Sequence, residues 1–225
     1  MKYDVRAPER SRVAELIKEA AGGRPIVVAG STVDDRYASE EQVFLQEAMA
    51  PVWQLYPLTL LVLAPRHPQR FDEVEELAAS VAPTIRAATL LNGGAEISSS
   101  VRIVILDTIG DLATTYGIAD AAFVGGSLVP RGGHNPLEPA QFSVPVIMGP
   151  SFENFRDIVG KMLEAKAICI VKDGQQLEGV MAGMLTDRVA AKAMGERGRR
   201  VFEEQQGATG RAVEAIVAVI QGAKA

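Results

Sequence analysis

The sequence predicts an α/β protein: a Rossmann-like, three-layer α/β/α arrangement around a mostly parallel sheet of about six strands. Three observations lead there. Short runs rich in Val, Ile and Leu alternate with amphipathic stretches at helical spacing, the pattern of repeated strand–helix units. The chain is 48% hydrophobic but only 5% aromatic, so its core is aliphatic, as suits strands covered by helices on both faces. Each apolar run also stops abruptly at a turn rich in Gly, Ser, Pro or Arg. At 225 residues the length fits one large domain and does not exclude two small ones.

The elements follow in order. "SRVAELIKEAAGGRP" has helical spacing and stops at Gly22 and Gly23. "PIVVAGST" is a buried strand feeding a turn, and "SEEQVFLQEAMAPVW" is a helix with Ser39 as N-cap and two glutamates in its first turn. "LTLLVLAPRHP" repeats the strand-to-turn pattern, with "RFDEVEELAASVA" as the helix after it. The stretch 83–100 is the least legible: a short strand around "IRAATLL", then a loop through "NGGAEISSS". "VRIVILDT", "AAFVGGS", "VPVIMGP" and "AICIVK" read as further strands, separated by helices in "GDLATTYGIA", "NPLEPAQF" and "NFRDIVGKMLEA". From Gln175 the pattern is helical to the end, punctuated near Gly195, Gly198, Gly207 and Gly210.

The formal charge of −5 argues against a general nucleic-acid surface. No apolar run reaches the roughly 18 to 20 residues of a membrane span, and "MKYDVRAPER" has no signal-peptide character. Cys169, the single cysteine, sits in an apolar strand and reads as a buried structural thiol, which permits no disulfide framework. Two histidines and one cysteine, none at ligand spacing, give no zinc site, and no cofactor motif is present: there is no G-x-S-x-G elbow, P-loop or G-x-G-x-x-G after the first strand.

In parallel sheets ligands bind beyond the carboxyl ends of the strands. That rule gathers "GST", "PRHP", "GGSLVPRGGHNP" and "GPSFEN" along one rim, and with them Arg66, His67, Arg70, Arg131 and His134, a focused positive pocket in an acidic chain. In "GGSLVPRGGHNPLEP", Gly132 and Gly133 offer backbone N–H groups to an anion, Asn135 is suited to cap the next helix, Pro136 to open it, and Glu138 falls third. Two readings of Glu138 stand: half of a capping box with Asn135, or an acceptor for sugar hydroxyls. Arg66 likewise is either paired with Asp72 or free for a phosphate or carboxylate. Asp34 with Asp35, and Glu40 with Glu41, read as solvated faces rather than acid–base pairs.

"AFVGGSLVPRGGHNPLEPAQFSVPVIMGPSFENFRDI", with "AGST", "APRHPQRFDEV" and "QQGATGRAVEAI", resembles the bacterial Kdo transferases, which move 3-deoxy-D-manno-octulosonic acid (Kdo) from CMP-Kdo to a lipid A precursor in lipopolysaccharide synthesis. The resemblance covers nearly the whole chain, yet only half of the family's protein. It implies that residues 1–225 form a single C-terminal donor-binding domain of the two-domain GT-B architecture, with "KYDV" as the segment joining the halves and Met1 as an artificial start. The N-terminal half, implied to carry the membrane anchor, the acceptor site and the catalytic base, is absent, so the chain alone is expected to bind donor without turnover. The full protein is implied to work at the cytoplasmic face of the bacterial inner membrane, without metal or cofactor.

The resemblance further implies that Ser31 and Thr32 line the cleft, that Arg66 and His67 face the donor's phosphate or sugar carboxylate, and that Gly126 and Ser127 let the nucleotide approach the backbone. Arg131, Gly132, Gly133, His134 and Asn135 would form the phosphate loop, Glu138 would take the ribose hydroxyls, and Asn154 would sit near the interdomain cleft. Two departures stand out. "GSTVDDRYASEE" has a longer spacer before its glutamates than the family pattern, so neither Glu40 nor Glu41 is carried over. Ser151, Phe152 and Glu153 replace residues common in the family. The alternatives are a GT-B transferase or epimerase using UDP-sugars, and a non-catalytic nucleotide-binding or interaction module.

Overall fold

The computed structural model describes residues 10–35, 38–93 and 98–222, with side chains up to residue 206. The "KYDV" segment, residues 94–97 of the expected loop and the side chains of "GATGRAVEAI" lie outside the described residues. In chain order the first half comprises α1 (Arg12–Ala21), β1 (Ile26–Thr32), the two-residue strands β2 (Asp34–Asp35) and β3 (Ala38–Ser39), α2 (Glu40–Gln42), a π-helical stretch (Val43–Met49), α3 (Ala50–Leu55), β4 (Leu60–Pro65) and α4 (Phe71–Val81). Then come β5 (Thr84–Arg86), α5 (Ala87–Leu91), β6 (Ile103–Ile105), α6 (Leu112–Tyr116), β7 (Ala121–Val124), α7 (Leu137–Ala140), β8 (Val146–Met148), α8 (Arg156–Glu164), β9 (Ile168–Ile170), α9 (Gly174–Thr186) and α10 (Arg188–Gly222).

Seven strands form one sheet in the order β5-β6-β4-β1-β7-β8-β9, and every neighbouring pair in it is parallel. The sheet has one strand more than the six or so expected. The "IRAATLL" segment also differs from expectation: its strand ends at Arg86 and Ala87–Leu91 is helical. Ala and Leu favour a helix there, and the Asp107 carboxylate accepts the Ala88 N–H at 2.8 Å, satisfying a donor of its first turn. The C-terminal region is two helices broken at Asp187, and Gly195 and Gly198 do not interrupt α10. Gly195 instead lets that helix press onto the Ser143 backbone, where a Cβ would collide.

Alternation along the buried strands feeds three clusters of core residues, one of them around Val124, Val146, Met148 and Ile168 with α8. Val27, Ala29, Leu61, Leu63, Ile103, Ile105 and Phe123 face the α2–α3 helix and α9, with Phe44 and Phe123 at 5.3 Å between ring centroids. Val28, Leu60, Val62, Val104 and Ala122 face α1, α5 and α6, including the buried Tyr116. The α2–α3 helix widens to π-helical bonding just before Pro51, which lacks an N–H and interrupts the ordinary ladder. From β1 the chain moves to β4 on one side and later to β7 on the other. The carboxyl ends of β1 and β7 therefore flank the switch point of the sheet, where such folds open a crevice.

Candidate functional site

At that crevice Ser31, Arg66, Gly110, Leu112, Ala113, His134, Asn135, Glu138 and Phe155 line a cavity of about 360 Å³, within the range of small-molecule sites. A slot of about 120 Å³ adjoins it and shares Ser31, Arg66, Gly110 and Leu112; Pro65, Phe71, Thr108 and Ile109 also line it. Five strand ends thus contribute: β1, β4, β6, β7 and, through Phe155, β8. The β6 contribution, "DTIGDLA", was missed from sequence. Its turn chemistry after an apolar strand was the available signal.

Ser31, the last residue but one of β1, has φ 55°, at the irregularity where the β1–β4 register slips between Gly30 and Thr32. A serine in the left-handed region costs on the order of 1 kcal/mol or more, a strain that functional sites tolerate. Thr32, by contrast, is fully buried and does not reach the cavity; its carbonyl instead accepts the Arg66 N–H at 2.9 Å. Asp72 is engaged by Arg86, so the Arg66–Asp72 pair is not formed, and Arg66 makes no ion pair among the described residues. His67 is exposed and lies outside both cavity linings.

Glu138 is partly buried, and no hydrogen bond from the described residues reaches its carboxylate. Burial pushes the carboxyl above its ordinary range, and the Arg66 charge pulls it partly back. The capping-box alternative is half realised: Asn135 Oδ1 accepts the Leu137 N–H at 3.1 Å, but the Glu138 carboxylate takes no bond from the Asn135 N–H. His134 Nδ1 lies 2.8 Å from the Gly125 carbonyl. A carbonyl only accepts, so Nδ1 carries the proton. Burial first, then Arg66 and His67, pull the imidazole below its ordinary value despite that bond, which favours the neutral ring with a lone pair on Nε2.

The expected anion loop is organised differently. The Gly132 N–H goes to Ser151 Oγ at 2.8 Å, the Gly133 N–H to the Gly126 carbonyl at 2.7 Å and the His134 N–H to the Gly125 carbonyl at 3.1 Å. The N–H groups of Gly126 and Ser127 go to the Glu40 carboxylate at 2.7 and 2.8 Å. Ser127 is wholly buried, its hydroxyl donating to the Val124 carbonyl and accepting the Gly149 N–H. Asn154 staples the loop, taking its own N–H to the Gly132 carbonyl and its amide to the Arg131 carbonyl. Gly126 has φ 67°, and a Cβ there would stand 2.7 Å from His134 Nδ1, so this turn requires glycine.

The carboxylates that open α2 are not a solvated face. Glu40 and Glu41 are fully buried. Glu41 pairs with Arg70 at 3.0 Å; Arg70 also reaches Glu73 at 3.0 Å and Asp34 at 3.5 Å, so it is neutralised inside the fold rather than offered to a ligand. Asp35 holds Arg131 at 3.3 Å. Of the five basic groups expected to form a positive pocket, Arg66 and His134 line the cavity.

No protein-family model matches the chain. The 3-deoxy-D-manno-octulosonic acid transferase of Haemophilus influenzae is 35% identical over 193 residues, covering 85% of this chain and 43% of its own. That of Bordetella pertussis is 31% identical over 220 residues, with 96% and 50% covered. The crystal structure of the C-terminal CMP-Kdo binding domain of WaaA from Acinetobacter baumannii superposes with a TM-score of 0.74 at 32% identity, over 84% of this chain and 95% of that one. The chain belongs to the Kdo transferase family. It spans about half the length of the curated Kdo transferases it matches, and its parallel sheet is that expected of one half of a GT-B glycosyltransferase. The crevice between β1 and β7 brings together a carboxylate and a guanidinium that are unpaired among the described residues, and an imidazole whose pKa is lowered by burial.

Proposed function

We propose that the chain is the C-terminal, donor-binding domain of a Kdo transferase and that it holds CMP-Kdo in the crevice between β1 and β7. One observation carries this: Glu138, a partly buried carboxylate without a hydrogen bond from the described residues, opens onto a nucleotide-sized cavity opposite Arg66. A carboxylate accepts a pair of vicinal hydroxyls, so Glu138 takes the ribose diol. Arg66 offers its fork to the phosphate or the Kdo carboxylate, and His134 accepts a sugar hydroxyl on Nε2. The base lies along the slot beside Phe71 and Thr108, whose Oγ1 is buried without a partner among the described residues. Gly126, Ser127, Gly132, Gly133, Arg131 and Asn154 shape the loop, Asn135 caps α7, Thr32 sets Arg66 and His67 stands at the outer rim.

In the reaction, the bond between the Kdo anomeric carbon and the phosphate oxygen breaks, and CMP leaves with the electron pair. Arg66 stabilises the charge that develops on that phosphate. The acceptor hydroxyl of a lipid A precursor attacks the anomeric carbon, its proton taken by a base from the N-terminal domain of the full protein. Closure of the two domains excludes water from an activated sugar. Among the described residues no helix is long and apolar enough to cross a membrane; the lipid acceptor calls for work at the cytoplasmic face of the inner membrane.

Calorimetric titration with CMP, against UDP and AMP, tests the reading. Saturable binding that prefers cytidine is expected. Preference for UDP would move the chain to the UDP-sugar enzymes, and no binding to any nucleotide would remove the preformed donor site.

A further inference from the structure

The turn after β7 already holds an anion that belongs to the protein. Glu40 Oε2 accepts the N–H groups of Val33 at 3.1 Å and Gly126 at 2.7 Å; Oε1 accepts those of Ser127 and Leu128, both at 2.8 Å. All four partners are donors, two to each oxygen, and none could receive a carboxylic proton. The geometry is that of an ionised carboxylate, although burial pushes the group upward against the pull of the four N–H groups. The turn so gripped is the attachment point of the rest of the site. The Gly125 carbonyl receives both the N–H and Nδ1 of His134, the Gly126 carbonyl receives the Gly133 N–H, and the Ser127 carbonyl receives the Ser151 N–H. Glu40 itself sits at the start of α2, whose neighbour Glu41 is locked by Arg70.

We propose that Glu40 is a positioning residue of the donor site: its carboxylate fills the anion nest made by the β7 turn and thereby fixes His134, Asn135 and Glu138 toward the ligand. This rests on the donor-site reading above. A successive run of N–H groups in a glycine turn would otherwise be a phosphate cradle. With Glu40 in place, the donor's phosphate lies above that nest, toward Arg66, and the nest serves geometry rather than charge neutralisation.

The test uses the whole chain in three forms, wild type, Glu40→Gln and Glu40→Asp, each followed by amide NMR, hydrogen exchange, thermal unfolding and CMP titration. In the ligand-free wild type the amides of Gly126, Ser127 and Leu128 should resonate far downfield and exchange slowly, as N–H groups on a buried carboxylate do. Glu40→Gln, which sets an amide NH2 against N–H donors, should collapse those shifts and weaken CMP binding at least tenfold while unfolding remains cooperative. Glu40→Asp, which keeps the charge but not the reach, should recover part of both. A folded Glu40→Gln variant with wild-type CMP affinity and unmoved His134 and Asn135 amides would overturn the proposal. Should Glu40→Gln not fold, wild-type exchange decides: rapid exchange at the three amides overturns the proposal and slow exchange supports it. Failure of wild type to bind CMP sinks the donor-site reading alone, since the amide shifts still decide whether Glu40 sets the loop.

Discussion

Replacing Glu138 by glutamine separates recognition from folding, because the two respond in opposite directions. Hydrogen bonds to a charged group contribute about 1.5–3 kcal/mol each. Glutamine keeps one acceptor oxygen but turns an NH2 toward the second ribose hydroxyl, so the loss is about 2 kcal/mol, roughly thirtyfold in Kd. Alanine removes both bonds and should take CMP binding out of calorimetric range. Stability follows the carboxyl's raised pKa. Its stabilising, protonated form is fully present below the unfolded value of 4.5, and the contribution is lost as pH rises through the folded value. At neutral pH the buried charge is therefore a cost that glutamine relieves. The expected result is a Glu138→Gln protein whose melting temperature equals or exceeds wild type and whose CMP affinity falls about thirtyfold. A melting temperature several degrees lower with unchanged affinity would refute the reasoning and return Glu138 to the role of a helix cap.

Arg66→Ala should likewise abolish detectable CMP binding in calorimetry with little change in melting temperature, since the side chain is exposed and makes no ion pair among the described residues. Arg70→Met should do the reverse: leaving Glu41 buried without its partner costs about 3–5 kcal/mol, read as a drop of roughly 10 °C in thermal unfolding. The His134 pKa is lowered from 6.5, so its contribution to stability is present above that value and lost as pH falls through the folded one; urea unfolding between about pH 7 and 5 should show a slope that His134→Gln reduces. Cys169 is half-buried with its thiol pushed up by burial, so a disulfide reagent at neutral pH should label it slowly in the native protein and at once in denaturant.

The strands and most helices were legible because hydrophobic period and turn residues act locally: "IVVAGST" and "LLVLAP" could be little else than buried parallel strands. The α5 helix was not, because a carboxylate 19 residues away helps to cap it. The rim itself was legible through the carboxyl-end rule, which brought Ser31, Arg66, His134 and Glu138 together. What the bonds do was less legible. The reading of Gly132 and Gly133 as open N–H donors failed because Ser151 and the Gly126 carbonyl consume them. The dismissal of Glu40 and Glu41 failed for a related reason: a pair of adjacent carboxylates looks solvated until its partners are in view, N–H groups more than 80 positions onward for Glu40 and Arg70 for Glu41.

On the proposed reading, these internal pairings account for how an acidic chain holds an acidic ligand. A donor bearing a phosphate and a carboxylate would be repelled by Glu40, Glu41, Asp34 and Asp35 if those groups faced it. Each is instead spent: Glu40 on four N–H groups, Glu41 and Asp34 on Arg70, Asp35 on Arg131. The same pairings consume most of the rim's positive charge, so attraction at a distance is not what selects the ligand. In the proposed site, selectivity would fall on short-range groups that a nucleotide sugar satisfies in concert: a carboxylate for a diol, a guanidinium for one anion, an imidazole lone pair for a hydroxyl and a narrow slot for a base. A ligand offering only charge satisfies one of the four, and inorganic phosphate should therefore compete poorly with CMP for the crevice.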